Sequence, residues 1–232
     1  MTRGRQDGFT LLEALLVVAI LLIVGAITAP QMFQIIDAQK LQSGAQSYAG
    51  LMQVARTRSI QDNQAYQVLS AVNNGASVAY VDLNGNSQWD PQGLNGSAPE
   101  PAVQMPTPIS ITNTNAPQGV QGFDTVRPLN TIPVLNLATN PAMVNTAGLP
   151  SPGIAFNERG LPCQRIAVNA PCNNISTVIT GGVSVATPVA WVTYLRWTRR
   201  NGSGFDWAAV SVSPAGRIKT WRYQTDNGGS WQ

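Results

Sequence analysis

The chain has 232 residues, a formal charge of +3 and 11% charged residues, where about a quarter is usual for a cytosolic globular protein. Asn, Gln, Ser, Thr and Gly fill the gap, as in secreted surface proteins, and the length suits one well-cored domain plus an appendage. Histidine is absent, which removes the commonest general base, the imidazole metal ligand and most nucleophilic triads. The acids are scattered, and no phosphate-cradling glycine loop opens a helix. Catalysis is not expected.

The first element is GFTLLEALLVV, residues 8 to 18, running on through AILLIVGAITA. Between Phe9 and Ala29, Glu13 is the single charge. A helix of that length spans roughly 30 Å, enough to cross a bilayer core. Arg3 and Arg5 precede it and the next basic residue is Lys40. Positive charge prefers the cytoplasmic side, so the start of the chain is expected inside and residues from about 31 outside. A cleaved secretory signal and a plain anchor share these features. Neither explains Glu13, since an acid in the apolar run costs free energy, about 2.5–3.5 kcal/mol for Asp at a helix centre. Such a carboxylate suggests a function and a partner.

GFTLLEALLVVAILLIVGAITAP closely resembles the type III signal of type IV pilins and pseudopilins. The resemblance implies cutting by a prepilin peptidase between Gly8 and Phe9 and N-methylation of Phe9. It also implies that Glu13 meets the freed amine of a neighbouring subunit in a filament. A carboxylate and an ammonium in hydrocarbon each need the other. The expected organisation is a leader at 1–8, a transmembrane and assembly helix at 9–30, an amphipathic helix at 31–62 and a β-rich domain at 63–232.

Pro30 lacks an N–H and is expected to kink or loosen the helix. Beyond it Leu41, Ala45, Tyr48, Met52, Ala55 and Ser59 recur at a three-to-four spacing, with Leu51 and Ile60 beside them. Gln42, Gln46, Gln53 and Arg56 fall elsewhere, and Arg56 and Arg58 read as a solvated face, with a partner contact as the alternative. This half of the helix should pack a soluble domain.

After residue 62 short apolar runs alternate with Gly, Asn and Pro. AYQVLSAV and ASVAYVDL read as strands joined through NNG. Residues 91–152 hold 11 of the 16 prolines and read as a long, strand-poor insertion, with ISITNT as one strand. PGIAFNERG, RIAVNA, STVITGGVSV, VAWVTYLRWT, FDWAAVSVSP and GRIKTWRYQ then read as hairpin-forming strands. The class is α+β, a long N-terminal helix packed on antiparallel sheet. YVDLNGNSQWD, IAFNERG, SPAGRIK and the helix segment ARTRSIQDNQAYQV resemble segments of H-type pseudopilins and FimT-like minor pilins. Residues 91–152 match that pattern poorly and look longer than the usual connection there.

Three constellations bear on chemistry. Cys163 and Cys172, in PCQRIAVNAPC, are the only cysteines. Their spacing exceeds the tight CxxC of zinc or redox sites. A short disulfide, which would imply an oxidising compartment, and two buried thiols are the alternatives. Asp82, Asn84, Asn86 and Asp90 place oxygens at alternating positions that suit calcium. The EF-hand pattern fails, because Ser87 stands where glycine is needed and Gly93 where glutamate is, and Asx-rich turns explain the same letters. Otherwise no cofactor is expected.

In the C-terminal strands Arg196, Arg199, Arg200, Arg217, Lys219 and Arg222 face one acid, Asp206. Trp191, Trp197, Trp207, Trp221, Tyr194 and Tyr223 lie among them. Cations that neutralise phosphates beside rings that stack on bases would bind DNA without regard to sequence. In FimT-like minor pilins a G-R-x-R segment has that role, and Gly216, Arg217, Ile218 and Lys219 resemble it; Arg222 follows. The alternative is period-two strands with tryptophans in the core and arginines in water. The expected function is a minor pilin or pseudopilin, anchored by one pass in the bacterial inner membrane. It would prime or cap a filament for secretion or pilus extension. A DNA-binding minor pilin and a pilus-borne adhesin using 91–152 are the alternatives.

Overall fold

The computed structural model describes residues 10–93, 98–112, 115–117, 154–164, 171–180, 183–200, 204–224 and 229–232. Gly8, Phe9, the run RIAVNA and most of the insertion, residues 118–153, lie outside the described residues.

One helix, α1 (Leu11–Gln61), opens the fold. Thr10 starts it: the Glu13 amide donates to the Thr10 carbonyl at 3.1 Å and to its hydroxyl at 3.3 Å. That is half of a capping box, with the acid of T-x-x-E in the first turn, where the helix dipole favours negative charge. α1 runs through Pro30 without interruption, so the missing N–H forfeits one intrahelical bond and the helix continues. It closes at Asn63, whose φ of 50° is the left-handed conformation that ends helices and that Asn tolerates. The Tyr66 hydroxyl donates to Asp62 Oδ2 at 2.9 Å across that end.

The chain divides into two compact units, Met1–Gln39 and Lys40–Gln232. In the first, Leu11–Thr28 is long and apolar enough to cross a membrane, and none of it is buried against protein. In the second, the stripe of Leu41, Ala45, Tyr48, Met52, Ala55 and Ser59 is buried, as the helical spacing predicted. Leu51 joins it, but Ile60 is half exposed. Arg56 departs from the solvated reading: its Nε donates to the Gly160 carbonyl at 3.1 Å.

The strands of the second unit form two antiparallel five-stranded sheets and a ribbon. The first sheet joins β1 (Tyr66–Asn73) to β2 (Ala76–Asp82) through Asn74 and Gly75. Both have positive φ, the turn that matches the right-handed twist of a hairpin. β3 (Ala102–Gln104) pairs with β2, while β5 (Ile154–Phe156) pairs with β1 and with β6 (Pro162–Cys163). The second sheet runs β12 (Ser230–Trp231), β11 (Ile218–Gln224), β10 (Phe205–Val212), β9 (Trp191–Thr198), β4 (Ile109–Ile111). β7 (Ile175–Thr180) and β8 (Val183–Pro188) form the ribbon. β4 is the ISI of the expected strand ISITNT, and β3 is a strand that the proline-rich composition hid.

The main core joins α1 to both sheets. Tyr48 and Met52 lie among Val68, Ala79, Ile109, Ile154, Phe156, Trp191, Leu195, Trp197 and Val210. The Tyr48 hydroxyl meets Thr193 Oγ1 at 3.2 Å, and burial pushes its pKa above the usual tyrosine range. A second cluster of Val192, Tyr194, Trp207, Ala209, Trp221 and Trp231 occupies the alternate positions of β9 to β12, so this sheet is apolar on both faces.

Candidate functional site

Glu13 lies on the exposed apolar part of α1, with Leu11, Leu12, Leu15 and Leu16 around it, each more than half exposed. A helix apolar on all sides and unburied within its own chain has to be covered by lipid or by other helices. The N-terminal segment is therefore built for an apolar environment, and its carboxylate is placed in the first described turn.

Deeper in the fold, three segments quoted for their family resemblance meet at one point. Gly160 closes IAFNERG, Gly216 sits in SPAGRIK and Arg56 comes from ARTRSIQDNQAYQV. Both glycines have positive φ, 70° and 78°. A Cβ on Gly216 would fall 2.8 Å from the Gly160 carbonyl oxygen and 3.3 Å from Cζ and Nε of Arg56. A Cβ on Gly160 would fall 2.7 Å from Cδ1 of Ile60 and 3.2 Å from Cγ of Arg56. The turn of SPAGRIK is closed by its own serine: Ser213 Oγ accepts from the Arg217 amide at 3.0 Å, and the Gly216 amide donates to the Ser213 carbonyl at 2.7 Å. Sterics and one charged donor therefore account for the glycines, for Ser213 and for Arg56.

The Asp82 to Asp90 loop is held by its own oxygens. Asp82 accepts from the amides of Gly85 at 2.7 Å and Ser87 at 2.9 Å, one on each carboxylate oxygen. Asn84 and Asn86 accept from the Asn86 and Gln88 amides, and both donate to Asp90 Oδ2 at 2.7 Å. These are Asx turns. Sequence reasoning missed Glu100, which is buried and clamps both ends of the loop by accepting from the Leu83 amide at 3.2 Å and the Asp90 amide at 2.9 Å. Burial, together with the charges of Asp82 and Asp90, pushes its pKa up to about 7, against the pull of the two amide donors. Its one sequence signal was an acid in the proline-rich stretch, ten residues past the alternating run.

The basic strand is dispersed. Arg199 pairs with Asp206, Nη2 to Oδ1 at 2.6 Å, and the Arg196 guanidinium lies over the Phe205 ring at 4.6 Å. Arg217, Lys219 and Arg222 are exposed, but on β11 the period of two sends Lys219 and Arg222 to opposite faces. Trp191, Trp197, Trp207 and Trp221 are all buried, so none presents a free ring for a base. Lys219 Nζ lies 3.5 Å from the centroid of Trp221, whose indole N–H donates to Ser211 Oγ at 2.8 Å. Arg217, Lys219 and Arg222 thus lie outside buried tryptophans, while Arg196 and Arg199 are half-buried.

Cys163 and Cys172 are joined by a disulfide with Cα atoms 5.3 Å apart. Beside it Gln164 and Asn173 exchange backbone hydrogen bonds at 2.8 and 3.1 Å.

Residues 3–29 match the prokaryotic N-terminal methylation motif. The chain thus carries the N-terminal signal of type IV pilin-like proteins, and signal and apolar helix together fit inner-membrane anchoring. Such a signal implies processing by prepilin peptidase, assembly with other pilins and a structural subunit in place of an enzyme. No curated protein and no solved structure matches the chain significantly.

Proposed function

We propose that the chain is a minor pilin or pseudopilin that primes or caps an inner-membrane-derived filament, with the domain from about residue 31 on the periplasmic side. The observation that carries this reading is the methylation motif at residues 3–29 on a helix that is unburied over Leu11–Thr28 and continues into a domain core as far as Ala55. A membrane anchor alone has no need of an acid in its apolar part; a subunit that leaves lipid for a helical filament core does, because a neighbour's amine can answer it. The disulfide supports an oxidising compartment for the domain. The H-type and FimT-like segments support a minor rather than a major subunit.

The test is mass spectrometry of the N-terminus of protein extracted from membranes. Loss of residues 1–8 with a methylated Phe9 is expected. Recovery of intact residues 1–8 overturns the reading.

A further inference from the structure

A polar cleft of ≈ 710 Å³ opens between the end of α1, the turn from β5 to β6, and the disulfide. That volume lies within the roughly 300–1,000 Å³ of small-ligand sites. Asn63 and Gln64 line it from the helix end, Glu158 and Arg159 from the turn, Asn173 and Asn174 from beyond Cys172. All six are exposed. Their side chains make no hydrogen bond or ion pair with another described residue, so their capacity faces the cleft and water.

The walls are fixed independently of any ligand. Asn63 is held in its left-handed conformation, with the Gln64 amide bonded to the Ser59 carbonyl at 3.1 Å. The turn is pinned by buried Asn157, whose Oδ1 accepts from the Arg159 and Leu161 amides, both at 3.0 Å. The third wall is held by the disulfide and the Gln164–Asn173 pair. Preorganised walls lower the ordering cost of binding.

We propose that this cleft is a binding site for a neutral saccharide. Glu158 and Arg159 cancel in formal charge, which disfavours a phosphate or a polycation. Among the described residues no aromatic side chain lines the cleft, so a nucleobase finds no ring there to stack on. Four carboxamides, a carboxylate and a guanidinium supply donors and acceptors side by side. That is the need of adjacent hydroxyls, each of which both donates and accepts. The site lies within the second unit, Lys40–Gln232, and stands whether or not the chain enters a filament.

The experiment is saturation-transfer NMR on the full chain in phospholipid nanodiscs, free of sugar detergents. The probes are glucose, galactose, mannose and N-acetylglucosamine at millimolar concentration. Transfer to at least one sugar is expected, falling to background in Arg159→Leu and in Asn174→Leu. Lys219→Ala, away from the cleft, keeps it. Both cleft positions are exposed, so an unchanged melting temperature shows that the fold persists, and a variant that fails this control is replaced by Asn173→Leu. Absence of transfer to all four sugars overturns the proposal. So does transfer that survives both cleft variants, or transfer to an Asn-Gly-Ser peptide with none to any sugar.

Discussion

Replacing Gly216 by alanine tests whether the glycines of IAFNERG and SPAGRIK are structural. An alanine at φ +78° has to hold the left-handed conformation, which costs an L-residue about 1–2 kcal/mol. Its Cβ would also lie 2.8 Å from the Gly160 carbonyl oxygen and 3.3 Å from the Arg56 guanidinium. The turn therefore has to back away, and the Arg56–Gly160 bond at 3.1 Å weakens or breaks. A hydrogen bond from a charged donor contributes about 1.5–3 kcal/mol, so the total loss with that bond broken is about 2.5–5 kcal/mol. Urea unfolding of a Lys40–Gln232 chain, followed by tryptophan fluorescence, measures it as a lower midpoint at unchanged slope. A cycle with Arg56→Ala separates the two parts. With the guanidinium gone, Gly216→Ala should cost less than in the wild type, because contacting residues are not additive. A Gly216→Ala change within about 0.5 kcal/mol of wild type, the range of ordinary surface substitutions, would refute the reasoning. Additivity with Arg56→Ala would refute the coupling.

Three further outcomes are expected. Glu13→Leu should leave the protein in the membrane fraction, since it removes the one charge of the apolar segment and adds an apolar side chain. It should abolish co-isolation with filament subunits, and unaltered co-isolation would count against the assembly role. Glu100, raised from 4.5 to about 7, holds in the folded state a proton that the unfolded chain has released. Stability should therefore rise as pH falls from above 7 toward 4.5, by roughly 1–3 kcal/mol after solvent screening. Glu100→Gln should flatten that slope in melts taken across the range; a slope of opposite sign is incompatible with the clamp. Cys163→Ser with Cys172→Ser opens a short loop, and chain entropy places the loss near roughly 2–3 kcal/mol, read as a lower urea midpoint that reducing agent does not lower further.

The helix and most hairpins were legible because each rests on a local rule. Period-3.6 burial from Leu41 to Ser59 and left-handed Asn74–Gly75 depend on neighbours along the chain, and the structure follows them. What stayed hidden depends on contacts distant in sequence. Arg56 reads as solvated on any helical wheel, yet its partner is a carbonyl 104 residues away. Glu100 and β3 lie in a stretch whose prolines spoke against strands, and they are held by pairing with residues of β2 and the loop that follows it. The same limit governs the basic strand. A glycine next to an arginine has the same letters whether it lets a phosphate approach or lets two turns of the protein touch. Only the second turn decides, and here it is in place, since the Gly160 carbonyl and the Arg56 guanidinium fill the space where a Cβ of residue 216 would stand. Gly216 is thus committed to the fold before any ligand is considered. An anion-binding role for Arg217 would have to rest on its own exposed side chain, without help from the motif that drew attention to it.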